Sequence, residues 1–197
     1  MVDHLGRLVD GDRLLYVIAR DRHSRGELKG PVVGTVMSNL GLEQSLQADG
    51  IPFLRAAVGD RYVLAMLREH GGVLGGETSG HLLCLDRTTT GDGLVSALQV
   101  LAVMKRTGRP LAELAAGMPQ FPQVMVNVRV RERIDPRQSP AIQAAVSRVE
   151  AALGRTGRVV LRASGTEPLI RVMVEGEDEA VVSRHANELA ETVRQAV

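Results

Sequence analysis

From residue 31 to about residue 121, short apolar runs alternate with stretches whose apolar positions recur every three or four residues. Val32-Val33-Gly34-Thr35-Val36-Met37 reads as a strand ending at Ser38-Asn39, and Leu42–Gln47 as a short helix. Ile51–Val58 reads as a second strand, broken by Gly59-Asp60. A helix from about Arg61 to Glu69 then carries Val63, Leu64 and Leu67 on one face. Residues 73–85 hold a short strand, a glycine-rich loop and another strand. Asp92 caps a helix to about Arg106, whose apolar face is read as Leu94, Ala97, Leu98, Leu101 and Met104. Gly108 stops it, and Pro110 opens a short helix through Leu114. Strands alternating with helices predict an α/β domain with a parallel or mixed sheet.

Outside that region the period changes. Val124–Val130 alternates apolar and polar, as a strand with one buried face does. Ile142, Ala145, Val146, Val149 and Leu153 form a helical stripe. Two strands, Arg158–Leu161 and Leu169–Val174, flank a short polar loop, and Val181, Val182, His185, Leu189 and Val193 mark a final helix. Residues 122–197 therefore read as a separate, smaller α+β domain. In residues 1–30, Asp10 or Asp12 caps a helix carrying Leu14, Leu15 and Ile18, and Asp21–Gly30 reads as a loop. Asp10 and Asp12 as metal ligands would be too few for an octahedral site, so the cap reading takes precedence.

Composition narrows the function. The chain has 197 residues, 44% apolar but only 2% aromatic, so its cores are aliphatic. A net charge of +1 and the near absence of stacking residues argue against a nucleic-acid binder. A single cysteine, Cys84, excludes a disulfide within the chain and suits a reducing compartment. No apolar run is long enough to span a bilayer.

Two loops concentrate chemistry. Arg162-Ala163-Ser164-Gly165-Thr166-Glu167-Pro168, with Arg171 beyond it, joins backbone N–H groups freed by a glycine to two hydroxyls and two guanidinium forks. That set suits a phosphate dianion, and an ordinary hairpin with surface arginines remains the alternative. Gly75-Gly76-Glu77-Thr78-Ser79-Gly80-His81 packs a carboxylate, two hydroxyls and an imidazole beside glycines, which suits sugar hydroxyls or an amine. A solvated turn is the alternative. Gly59-Asp60-Arg61-Tyr62 offers Arg61 to an anion, with Asp60 as a helix cap. His81 and Cys84 lack the further ligands a zinc site requires. No Ser-His-Asp arrangement follows from the spacing.

Taken in order, these loops resemble the C-terminal part of the bacterial phosphoglucosamine mutases, a branch of the α-D-phosphohexomutase superfamily. Gly75–His81 is similar to the family's sugar-binding loop and Arg162–Pro168 to its phosphate-binding loop. Val58–Val63, Thr89–Gly93, Ala97-Leu98-Gln99, Phe121-Pro122-Gln123 and Val126-Asn127-Val128 extend the likeness over essentially the whole chain. The resemblance implies a phosphohexomutase-type α/β domain with a mixed sheet at 31–121 (domain three) and a smaller α+β domain at 122–197 (domain four). Residues 1–30 would be a remnant of domain two, its apolar face lacking partner strands. It also implies that Glu77, Ser79 and His81, with Gly59 and Arg61, hold the sugar. Arg162, Ser164, Gly165, Thr166 and Arg171 would clamp a phosphate. The activity implied is interconversion of glucosamine 6-phosphate and glucosamine 1-phosphate, through a phosphoserine and glucosamine 1,6-bisphosphate. Magnesium would sit on an Asp-Gly-Asp-Gly-Asp-Arg loop, in a cytoplasmic enzyme of amino-sugar and peptidoglycan-precursor metabolism. Neither the serine loop nor that metal loop occurs in this sequence, since Asp10-Gly11-Asp12-Arg13 lacks the first Asp-Gly pair. The expectation is that this chain alone is inactive, with a non-catalytic sugar-phosphate module or a mutase of broader hexose specificity as alternatives.

Overall fold

In the computed structural model, Asp10 starts the first helix by accepting a hydrogen bond from the Arg13 N–H at 3.0 Å. Residues 1–130, 135–164 and 167–196 are described. They divide into two compact units, 1–120 and 121–197.

Helix α1 (Gly11–Ser24) buries Leu14, Leu15, Tyr16, Val17, Ile18 and Ala19, nearly its whole circumference. The apolar face of residues 1–30, expected to lack partners, is covered here. Leu14, Leu15 and Ile18 lie in the main core of the first unit, together with Val32, Leu42, Leu74, Leu82 and Val100. The partners come from within the unit, so no further strands are needed to cover the helix. Asp21–Ser24, read as loop, completes its last turn.

The sheet of this unit is mixed. Strands β1 (Val32–Thr35), β2 (Phe53–Ala56), β3 (Leu74–Gly76) and β4 (Leu82–Cys84) lie in the order β2-β1-β3-β4. β1 is parallel to β2 and β3, whereas β4 is antiparallel to β3. Alternation along the strands separates two cores. Val32, Leu74, Leu82 and Cys84 face α1 and its neighbours, and Val33, Ala56 and Leu83 face Val63 and Leu67 of α3 (Asp60–His70). The side of the sheet that carries α1 also carries α2 (Leu40–Ala48), α4 (Gly93–Thr107) and α5 (Leu111–Ala115).

Helix α4 turns a different face inward from the one its leucines suggest. Ser96, Val100 and Val103 are buried, while Leu94, Leu98 and Leu101 are 79%, 61% and 47% exposed. Apolar residues occur all round this helix, so periodicity offered two stripes. The buried Ser96 is tolerated because its hydroxyl donates to the Asp92 carbonyl at 2.7 Å.

The second unit contains β5 (Gln123–Arg129), α6 (Pro140–Leu153), β6 (Gly157–Ala163), β7 (Leu169–Gly176) and α7 (Glu179–Ala196). The strands form an antiparallel sheet ordered β5-β7-β6. Val128, Ile170 and Val172 pack against Ile142, Ala145, Leu189 and Val193 of the two helices. The opposite face carries polar rows that cross all three strands. One is Gln123, Glu175 and Arg158, with the buried Glu175 bonded to Gln123 at 3.0 Å and Arg158 at 2.5 Å. Another is Asn127, Arg171 and Arg162.

Candidate functional site

The hairpin joining β3 to β4 places the first polar loop. The Glu77 N–H donates to the His81 carbonyl at 3.1 Å and the Gly80 N–H to the Glu77 carbonyl at 2.9 Å, which closes the turn. The Glu77 carboxylate then reaches across to the loop before α3 and accepts the Gly59 N–H at 2.9 Å. Gly59 has φ +126°, a conformation that L side chains rarely adopt, so glycine is required where this amide turns toward Glu77. Asp60 Oδ2 lies 3.6 Å from His81 Nε2. A Cβ on Gly91 would run into the His81 ring, so the loop before α4 passes directly against the imidazole.

Gly59, Glu77 and His81 are thus gathered as the sequence suggested, with Asp60 and Gly91 added. Ser79 sits exposed in the hairpin. The Arg61 guanidinium lies over the Tyr62 ring, 4.5 Å from the centroid, and donates to the Tyr62 hydroxyl at 2.7 Å. Gly91 was legible only as part of a helix cap. Its role depends on packing against a residue distant in sequence.

Underneath the hairpin lies the first turn of α1. The Gly11 N–H donates to the Thr78 carbonyl at 2.9 Å, and a Cβ on Gly11 would collide with the Glu77 carbonyl. Asp12 is fully buried, and its Oδ2 accepts from the Thr78 hydroxyl at 2.8 Å and the Asn39 N–H at 2.9 Å. Burial pushes its carboxyl pKa up, against the pull of these hydrogen bonds. Asp10 is engaged by Arg13 N–H and by Gln120 Nε2 at 3.2 Å. Both oxygens of Asp10 and the Oδ2 of Asp12 thus accept from protein donors, while the buried Asp12 Oδ1 has no hydrogen-bond partner among the described residues. Among the described residues no group of three or more His, Cys, Asp or Glu side chains gathers as a metal site would require.

The second loop is carried by the β6–β7 hairpin. Arg162 and Arg171 are direct cross-strand partners. The buried Nε of each has no hydrogen-bond partner among the described residues. Burial and the neighbouring Arg171 charge both pull the Arg162 pKa down. Ser164 is buried, its N–H donating to the Leu169 carbonyl at 2.8 Å and its hydroxyl accepting from the Glu167 N–H at 3.3 Å. Gly165 and Thr166 lie outside the described residues. Two like charges thus lie on adjacent strands, each with a buried Nε–H that has no partner among the described residues, a donor set whose chemistry suits an anion.

The fold is that of a layered α/β unit with a polar glycine hairpin, followed by an antiparallel α+β unit with an arginine-lined hairpin. The chain belongs to the phosphoglucomutase/phosphomannomutase family: the family's α/β/α domain III matches residues 10–121 and its C-terminal domain matches residues 125–192. Among curated proteins it is similar to the phosphoglucosamine mutases of Methylococcus capsulatus and Alkalilimnicola ehrlichii. Each is 61% identical over 196 residues, covering 100% of this chain and 44% of the relative. The chain thus spans less than half the length of these relatives. Among solved structures, an Aspergillus fumigatus N-acetylphosphoglucosamine mutase in complex with GlcNAc-6P and magnesium superposes with a TM-score of 0.83. It is 24% identical, and the match covers 100% of this chain and 46% of that one. A Burkholderia thailandensis phosphoglucomutase/phosphomannomutase family protein gives a TM-score of 0.73 at 22% identity, covering 97% and 43%. These structures share the fold.

Proposed function

We propose that the protein to which these two domains belong interconverts glucosamine 6-phosphate and glucosamine 1-phosphate through a bisphosphate intermediate. In this reading the present residues recognise the substrate. The observation that carries it is the Arg162–Arg171 pair, two cross-strand arginines whose buried Nε–H donors have no partner among the described residues. A phosphate dianion would relieve their mutual repulsion and supply acceptors in the planar geometry that arginine favours. Ser164, Gly165 and Thr166 would add the remaining donors. In the first unit, Glu77, Ser79 and His81, with Gly59 holding Glu77 in place, would take the sugar hydroxyls and the amine.

The relatives named phosphoglucosamine mutase, 61% identical, support the choice of a hexosamine. Magnesium, present in the A. fumigatus complex, would neutralise the transferring oxygens. We assign it, with the phosphoserine, to parts of the family's architecture outside these two domains, because Asp10 and Asp12 are already bonded to protein donors. Catalysis in this reaction class is nearly all positioning and charge stabilisation, so these residues alone should bind without turning over.

Calorimetric titration of the 197-residue chain with glucosamine 6-phosphate tests recognition. Weak binding is expected, and it should be lost in Arg171→Ala. No heat at millimolar ligand would reject the reading. Equal affinity for glucose 6-phosphate would widen it to hexose phosphates. A coupled assay primed with glucosamine 1,6-bisphosphate and magnesium should give no turnover above a boiled control.

A further inference from the structure

Three chain segments meet at one fully buried carboxylate. Asp12 at the start of α1 accepts the Asn39 N–H at 2.9 Å, where Asn39 caps α2, and the Thr78 hydroxyl at 2.8 Å, in the polar hairpin. The adjacent Gly11 N–H donates to the Thr78 carbonyl at 2.9 Å. Thr78 is therefore gripped twice, through its backbone and through its side chain. Its neighbours on either side are Glu77, which reaches Gly59, and the exposed Ser79.

A buried carboxylate is expensive to hold, and burial indeed raises the Asp12 pKa. A neutral side chain could cap or pack at this position at lower cost. What the anion adds is strength and direction in the bonds it accepts, since hydrogen bonds to a charged acceptor are shorter and about twice as strong as neutral ones. A five-residue turn closed only by two backbone bonds would otherwise be free to rock about its strand ends. A loop that must hold two side chains to a fixed geometry gains most from such an anchor.

We propose that Asp12 and Thr78 form a positioning pair that fixes the Glu77–His81 hairpin for sugar recognition, without either residue touching the ligand. The inference rests on the sugar-binding reading of that hairpin. Its distinguishing consequence is selectivity. Losing the anchor should weaken binding of a sugar phosphate but not of phosphate alone, because the arginine pair belongs to the other unit.

The test is titration of the full chain and its variants with glucosamine 6-phosphate and, separately, with inorganic phosphate. Thr78→Val keeps the shape and removes the hydroxyl. It should weaken glucosamine 6-phosphate about tenfold, the loss expected for one hydrogen bond to a charged group, and leave inorganic phosphate unchanged. Thr78→Ser restores the hydroxyl and should bind as the wild type does. Asp12→Asn should follow Thr78→Val. Hydrogen exchange at the Gly80 amide gives a second readout and should speed up in Thr78→Val but not in Thr78→Ser. Wild-type affinity in Thr78→Val, or equal losses for both ligands, would overturn the positioning role alone. Failure of the wild type to bind glucosamine 6-phosphate would overturn the sugar-binding reading as well.

Discussion

Arg162 and Arg171 face each other across β6 and β7, two positive charges in register on one face of the sheet. Like charges directly opposite destabilise an antiparallel pair by up to about 1 kcal/mol. Arg162→Leu should therefore leave the thermal midpoint of the free protein unchanged or raised. Millimolar phosphate is expected to raise the midpoint of the wild type, and the same variant should lose that shift. Differential scanning fluorimetry with and without phosphate reads both effects. A free protein strongly destabilised by Arg162→Leu would show that the arginine is structural.

Gly91→Ala separates the imidazole from the fold. The three atoms nearest the new Cβ all belong to the His81 ring, a partly exposed side chain. The expected result is a thermal midpoint close to wild type, with altered His81 resonances and weaker glucosamine 6-phosphate binding. Gly41→Ala is the contrast, because its Cβ would strike the Pro119 carbonyl, a backbone atom. That change should cost about 1–3 kcal/mol in a denaturant titration, as overpacking in a dense interior does.

On α4 the two faces predict opposite sensitivities. Leu98→Gln should change stability by less than about 0.5 kcal/mol, whereas truncating the buried Val103 to alanine should cost about 1–3 kcal/mol. Urea midpoints of the two variants decide between the faces. The reverse ranking would restore the leucine stripe as the core.

Asp21 predicts an acid response. Burial raises its carboxyl pKa, but Arg106, at 2.6 Å, and Arg25, at 2.8 Å, win and set it below the ordinary value. A depressed folded pKa contributes stability above the ordinary carboxylate range and loses it as pH falls through the folded value. The midpoint gap between wild type and Asp21→Asn should therefore be widest near neutrality and close below about pH 4. A gap independent of pH would mean that the aspartate acts through shape and not charge. Asp12 has the opposite sign: its raised pKa makes its contribution fall as pH rises.

The alternating elements of the first unit and the period-2 strand of the second were legible because one face of each is buried, which patterning records directly. Both polar hairpins were visible for the same local reason, since glycine and hydroxyl residues cluster between strands. Three features were hidden, each for its own reason. The central run Leu14–Ala19 of helix α1 is apolar on all sides, so its sequence did not say which elements enclose it. Helix α4 carried two apolar stripes, and the buried Ser96 made the true one look less apolar than the exposed one. Asp12, Thr78 and Gly91 act across long sequence separations, and a turn-type residue pair such as Asp-Gly has the same local signature whether or not it anchors a distant loop.

Because β4 runs antiparallel to β3, the polar loop is closed within a few residues instead of through a helical crossover. Its closure entropy is small and local, so its shape is set by its own turn and by the α1 anchor beneath it. The segment from Glu77 to His81 is therefore a cassette. Exchange for the corresponding stretch of a family member should leave the β3–β4 register in place, provided that a hydroxyl is kept at position 78. On the proposed sugar-binding role of this hairpin, such an exchange should alter which sugar phosphate the chain binds and leave the fold intact.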